Sequence, residues 1–440
     1  MNKRISITLI LILAFGASYA QSLNVVQLDS LFQILETKDK FMGSITISEN
    51  GKLLYAKSFG KADLETNKKN SIETKYRIGS ITKMFTSCLI LKAVEEGKLT
   101  LSQTIDKYFP TIKNAERISI ENLLYHRSGI YNFTNNEDFM NYYTEPKSKK
   151  QMVEIIAKGK SNFEPDSASE YSNSNYVLLS YILEETYNTS YKEILNEKIV
   201  KPLGLKNTYF GNKANIQNNE AYSYSYTDKW VKEKETDMSI TMGAGSIISN
   251  SSDLVIFIEN LFANKIINSK SLEQMLHKKD NYGMGIVPFY FHDKEAFGHS
   301  GGIDGSSSAL YYFPADELAI ALTANGDVLG TKYSRKAIAS NYYHKDFVIP
   351  TFNTIELTSE DLDKYLGVYS SPKLPGFTIA ITKDNLILMA QGTGESAIPF
   401  VATGKDIFEF LRAGIKLEFK TAENQMIYSQ GGETFTMTRK

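Results

Sequence analysis

One cysteine, Cys88, stands in a chain of 440 residues, so no internal disulfide can form and the fold has to be held by its hydrophobic core. The five histidines, His126, His277, His292, His299 and His344, fall at none of the spacings that metal ligation needs, and no metal or other cofactor is implied. The apolar run Ile5 to Phe15 is too short to span a bilayer, and no later stretch approaches the ~20 apolar residues required, so no transmembrane anchor is expected. Neither sign of charge is in excess, with 49 Lys and Arg facing 50 Asp and Glu. That balance speaks against nucleic acid or an anionic membrane surface as partner.

What is present first is a leader. Lys3 and Arg4 precede Ile5 to Phe15, and Gly16-Ala17-Ser18-Tyr19-Ala20 supplies small residues before Gln21, the pattern of a secretory signal peptide over residues 1–20. No cysteine follows the cleavage point, so a lipid anchor is not expected and the mature chain should be periplasmic or secreted. Loss of Lys3 and Arg4 leaves 47 basic against 50 acidic residues, a net of about −3. With 42% hydrophobic and 22% charged residues, the remainder reads as globular and long enough for more than one core.

Val25 to Leu35 has helical periodicity, and Gly43 to Ser48 and Leu53 to Ala56 flank Asn50-Gly51, a hairpin signal. Ala309 to Phe313 and Leu318 to Leu322 flank Pro314-Ala315-Asp316 as a second hairpin, with a helix expected over Tyr333 to Tyr343. Between them lies a mostly helical middle that includes Tyr176 to Tyr187 and Ser251 to Phe262. This order predicts an α+β fold over residues 21–345: an antiparallel sheet completed by both ends of the region, flanked by helices, with a helical lobe inserted. A linker is expected over 346–360. Residues 361–440 then carry short alternating runs at Tyr365 to Tyr369, Phe377 to Ile381, Leu386 to Ala390, Ile407 to Phe410, Lys416 to Phe419 and Met426 to Tyr428. With turns at Lys383-Asp384-Asn385 and Gln430-Gly431-Gly432, they predict a small antiparallel sheet or barrel.

The chemistry concentrates at residues 75 to 97. Met84, Cys88 and Leu91, with Phe85 and Leu89 beside them, follow the spacing of a helix face, and Gly97 stands where a C-terminal cap belongs. Ser80 falls in the first turn, three residues before Lys83, which puts hydroxyl and amine on one face roughly 5–6 Å apart at Cβ. An amine whose pKa is lowered by desolvation can activate a serine, and the helix N-terminus favours the anion that forms. Glu170 to Tyr176 is a polar stretch before another helix. A tyrosine such as Tyr171, if cations lowered its pKa, could pass the serine proton, and the Asn173 amide could hydrogen-bond both lysine and substrate. Phe297-Gly298-His299-Ser300-Gly301-Gly302 precedes a strand, and its glycines would admit a substrate to backbone N–H groups of an oxyanion hole.

Together these stretches resemble the serine β-lactamase and penicillin-binding-protein superfamily, in its class C-like branch of carboxypeptidases and esterases. Ser80-Ile81-Thr82-Lys83 matches the first motif, Tyr171-Ser172-Asn173 the second, and His299-Ser300-Gly301 stands at the third. Leu123 to Gly129, Pro202 to Leu205 and Gly245 to Ser249 are similar to supporting stretches of that branch. The resemblance implies acyl transfer: Ser80 as nucleophile, Lys83 and Tyr171 handling its proton, and Asn173, His299, Ser300 and Gly301 orienting the substrate. It implies an oxyanion hole from the backbone N–H groups of Ser80 and Gly302. His299 stands where many members have a lysine that helps bind a substrate carboxylate. Such binding should therefore be weak and pH-dependent, and β-lactam turnover poor. The expected function is an exported serine hydrolase acting on D-amino-acid peptides or small esters, with substrates possible from peptidoglycan. A β-lactamase proper and a non-catalytic peptidoglycan- or β-lactam-binding protein of the same fold are the alternatives.

Overall fold

The computed structural model describes residues 23–440 except 228, 348, 351, 353, 411–412 and 431–432. The leader expected over 1–20, and two residues of the turn at Gln430, lie outside the described residues. Six strands form the central sheet: β1 (Phe41–Glu49), β2 (Lys52–Phe59), β3 (Val287–Phe291), β4 (Lys294–Ile303), β5 (Ser306–Phe313) and β6 (Leu318–Asp327). Their order is β3-β4-β5-β6-β1-β2, antiparallel throughout, so strands from the two ends of the region meet where β1 pairs with β6. Asn50 and Gly51 both take positive φ, the turn that two-residue hairpins favour.

Period-two alternation divides the sheet's side chains between two cores. Ala309, Tyr311, Phe313, Ile320 and Leu322 face helices α1 (Val25–Thr37) and, further along the chain, Gly330–Tyr342. Leu310, Tyr312, Ala319 and Ala321 face the helical lobe. Within that lobe α2 (Thr82–Glu95) is buried from Thr82 through Leu91, not along one face as its apolar spacing suggests. Its polar positions are satisfied by distant partners: the Thr86 hydroxyl donates to the Gly243 carbonyl at 2.7 Å, and Ser87 meets the Tyr176 phenol. Around it pack α3 (Asn173–Tyr187), α4 (Met238–Gly245) and α5 (Ser251–Phe262).

Past the main sheet, Gly367–Ser370, Thr378–Asp384, Ile387–Gly392, Ile398–Gly404, Ile407–Phe410, Ile415–Lys420, Gln425–Gln430 and Glu433–Arg439 close into an eight-stranded antiparallel barrel. Two of these strands, Ile398–Gly404 and Glu433–Arg439, go beyond the runs legible in the sequence. In the second, threonines at 434, 436 and 438 alternate with only Phe435 and Met437 inside an otherwise charged stretch. Tyr365, Tyr369, Phe400, Phe408, Leu417, Phe419, Met426 and Met437 fill the interior. No helix among the described residues is long and apolar enough to cross a membrane.

Candidate active site

Ser80 lies in a single 3₁₀ turn, Gly79–Ile81, that leads directly into α2. Two glycines set that turn against strand β4. Gly79 has φ +49, and a Cβ there would sit 2.8 Å from both the N and O of Gly302; a Cβ on Gly301 would sit 2.0 Å from the Ile78 carbonyl oxygen. The Ser308 hydroxyl donates to that same Ile78 carbonyl at 2.8 Å, tying β5 to the turn as well. Among the described residues β3 pairs with β4 only from Lys294 to Gly298, so no strand pairs with the outer edge of β4 beyond Gly298.

At the second position of α2, Lys83 is fully buried, with Nζ 2.9 Å from Ser80 Oγ, 2.8 Å from Asn173 Oδ1 and 2.9 Å from the Ala244 carbonyl oxygen. Burial pushes its pKa well below the usual lysine range. The three contacts fit the neutral amine. Two carbonyl oxygens can only accept, and they use its two N–H groups; the lone pair is left for the Ser80 hydroxyl to donate into. On the other side of Ser80 Oγ the Tyr171 phenol donates at 2.7 Å. Asn173 is held in turn, its backbone N–H on Asn132 Oδ1 and its side-chain amide on Thr134 Oγ1 at 3.2 Å. Ser80, Lys83, Tyr171 and Asn173, drawn from segments ninety residues apart, thus form one hydrogen-bonded chain.

A family model described as Beta-lactamase matches residues 33–341. The chain belongs to the beta-lactamase family. It is a serine hydrolase of that family. Teichoic acid D-alanine hydrolase of Staphylococcus aureus is 28% identical over 295 residues, 65% of this chain and 71% of that protein. The penicillin-binding protein homologue from Pyrococcus abyssi, described as octameric, superposes with a TM-score of 0.67 at 23% identity, over 94% of this chain and all of that one. A D-stereospecific amidohydrolase from Streptomyces superposes with a TM-score of 0.62 at 24% identity, over 72% of this chain and 99% of that one.

Within the beta-lactamase-family site, three expectations change. Burial raises the Tyr171 pKa instead of lowering it, so the phenol keeps its proton and donates it in the hydrogen bond to Ser80. His299 is buried, and burial first, with Lys83 nearby second, lowers its pKa to about 4. It is therefore uncharged across the neutral range, not partly charged there. Its Nδ1 lies against the Ser300 carbonyl, which can only accept, so Nδ1 carries the proton and Nε2 is an acceptor. Ser300 departs from its expected place. It pairs with Ala309 on the pleat opposite to His299, and its hydroxyl meets the Tyr311 phenol, away from the group around Ser80. Gly301 and Gly302 do reach the Ser80 turn.

Sequence reasoning missed Ala244, Asn132 and Thr134. Ala244 presents its carbonyl because α4 breaks at Met242, where φ 35 and ψ −130 are non-helical. The glycines at 243 and 245 were the available signal of an irregular turn. Arg77 was also missed as an anchor: buried, it donates to Asp304 at 3.0 Å, Glu235 at 2.7 Å and the Thr236 carbonyl at 2.8 Å, joining the β4–β5 turn to the segment before Ser80. Among the described residues no group of three or more His, Cys, Asp or Glu is placed to hold a metal ion.

Proposed function

We propose that the chain is an exported serine hydrolase that cleaves a D-aminoacyl ester or amide through an acyl-enzyme on Ser80. The observation that carries this is the neutral hydrogen-bond chain from the Tyr171 phenol through Ser80 Oγ to Lys83 Nζ, at 2.7 and 2.9 Å. The Ser80 proton passes to the Lys83 lone pair as Oγ bonds to the substrate carbonyl carbon. The oxyanion that forms meets the backbone N–H groups of Ser80 and Gly302. The proton then returns, through Tyr171 or directly, to the departing oxygen or nitrogen, and the carbon–leaving-group bond breaks. Water repeats the sequence on the acyl-enzyme, with Lys83 taking its proton.

The preference for an aminoacyl group over a substrate ending in a carboxylate rests on His299. An uncharged ring with a free acceptor nitrogen suits an ammonium or hydroxyl donor better than an anion. The name of the Staphylococcus aureus relative, a D-alanine hydrolase, supports the same acyl group. Export follows from the leader pattern at residues 1–20.

The test is a panel of D-alanyl and L-alanyl esters and amides, D-Ala-D-Ala peptides and a chromogenic cephalosporin, with mass spectrometry for an adduct on Ser80. D-alanyl esters should turn over in preference to their L forms, and Ser80→Ala should abolish turnover. Turnover confined to free-carboxylate substrates would overturn the substrate class.

A further inference from the structure

We propose that His126 is the positioning residue of Tyr171: a single buried residue that holds the backbone before that tyrosine with its carbonyl, the backbone after it with its imidazole, and the plane of its ring by packing. The inference rests on the acyl-transfer reading above. His126 follows the short helix Ile120–Leu124 and takes the left-handed backbone conformation, φ +57. Its carbonyl oxygen accepts the N–H of Glu170 at 2.9 Å, and its ring Nδ1 accepts the N–H of Ser172 at 3.2 Å. The two peptide N–H groups that flank Tyr171 within one residue therefore both end on His126. Its ring lies 4.6 Å from the Tyr171 ring, tilted by 36°.

Other groups hold the clamp itself. Tyr176 and Tyr282 pack on the imidazole at 5.2 and 5.1 Å, Asn175 Nδ2 reaches Nδ1 at 3.5 Å, and the residue is 2% exposed. Because a backbone N–H can only donate, Nδ1 must be unprotonated, and the ring serves as a fixed acceptor. Arg127 extends the strap, its carbonyl accepting the Asp166 N–H at 2.8 Å. Tyr171 needs such a clamp. It precedes Ser172, the extended N-cap residue of α3, and so lies outside the helix that holds Asn173, yet its phenol must stay within 2.7 Å of Ser80 Oγ.

The experiment is a double-mutant cycle on the full chain, read as kcat and KM for p-nitrophenyl acetate. His126→Phe keeps an aromatic ring and removes the acceptor; kcat should fall about 100-fold with KM within about two-fold, the signature of lost alignment. His126→Asn keeps an acceptor on a residue that tolerates positive φ, and should recover to within about five-fold of wild type. In the Tyr171→Phe background, His126→Phe should cost less than about two-fold more, because a group that acts through Tyr171 has nothing left to act on. Thermal melts establish that each variant is folded; if His126→Phe is not, His126→Gln, whose acceptor is one bond out of place, takes its position in the cycle. Independent, multiplying losses, or an Asn variant no better than the Phe variant, overturn the assignment. Activity surviving Ser80→Ala overturns the acyl-transfer reading itself, and the clamp's catalytic meaning with it.

Discussion

Lys83 has three neutral hydrogen-bond partners and no exposure, and that burial holds its pKa well below the usual lysine value. Among the described residues an ammonium there would have no anion to offset its lost hydration. The sign of the linked stability follows. Between its lowered folded value and the ordinary 10.5, the unfolded chain binds a proton at this site that the folded chain does not, so this group's contribution to stability rises with pH across that window. Replacing Lys83 with Met removes the contribution. The wild-type minus variant difference in unfolding free energy, from denaturant titrations between pH 7 and 10, should rise by about 1.4 kcal/mol per pH unit. Parallel curves would mean that Lys83 is charged in the folded chain. The same substitution should lower kcat about 100- to 10,000-fold, as expected for loss of a general base.

At the scale of elements, the site exists because a turn and a strand edge touch without side chains between them. A Cβ on Gly301 would fall 2.0 Å from the Ile78 carbonyl oxygen and 2.5 Å from Ser308 Oγ, and Gly301 has no positive φ to confuse the test. Gly301→Ala should therefore push β4 away from the Ser80 turn. Stability should fall by about 1–3 kcal/mol through overpacking, and kcat by about 100-fold through misalignment of nucleophile and oxyanion donors. Unchanged kcat in a folded variant would mean that the strand edge takes no part in the reaction. These elements also show what was legible. Ser80 and Lys83 share one helical turn, so their pairing is written in local spacing; Tyr171 and Asn173 stood out as a polar stretch before a helix. The Ala244 carbonyl could not be read, because every residue has one and its aim depends on the break at Met242. The full burial of α2 was hidden for the same reason. Thr86 and Ser87 look like a solvated face until Gly243 and Tyr176, far along the chain, arrive as partners.

Over the whole molecule, the barrel has a core of its own, Leu362 to Met437, separate from the two cores of the main sheet. Closure leaves it no strand edge, and rings such as Tyr365, Phe408 and Phe419 pack inside it, with the Phe408 and Phe419 rings 4.9 and 4.7 Å from that of Tyr365. The segment expected as a linker is divided between the two bodies. Phe347, Ile349 and Phe352 pack against the main sheet, while the Ile355 N–H bonds the Ala402 carbonyl and Leu357 joins the barrel. We therefore propose that the boundary falls between residues 352 and 355. A chain ending at 354 should keep p-nitrophenyl acetate hydrolysis within about two-fold, and residues 354–440 alone should melt cooperatively, as units with their own cores do. A cut at 345 should do worse, because it strips three apolar side chains from the sheet's covering and exposes the face beneath them. If the chain ending at 354 folds but loses hydrolysis while the barrel melts normally, the barrel contributes to the cleft; if neither piece folds, the two cores stabilise each other and the boundary is wrong.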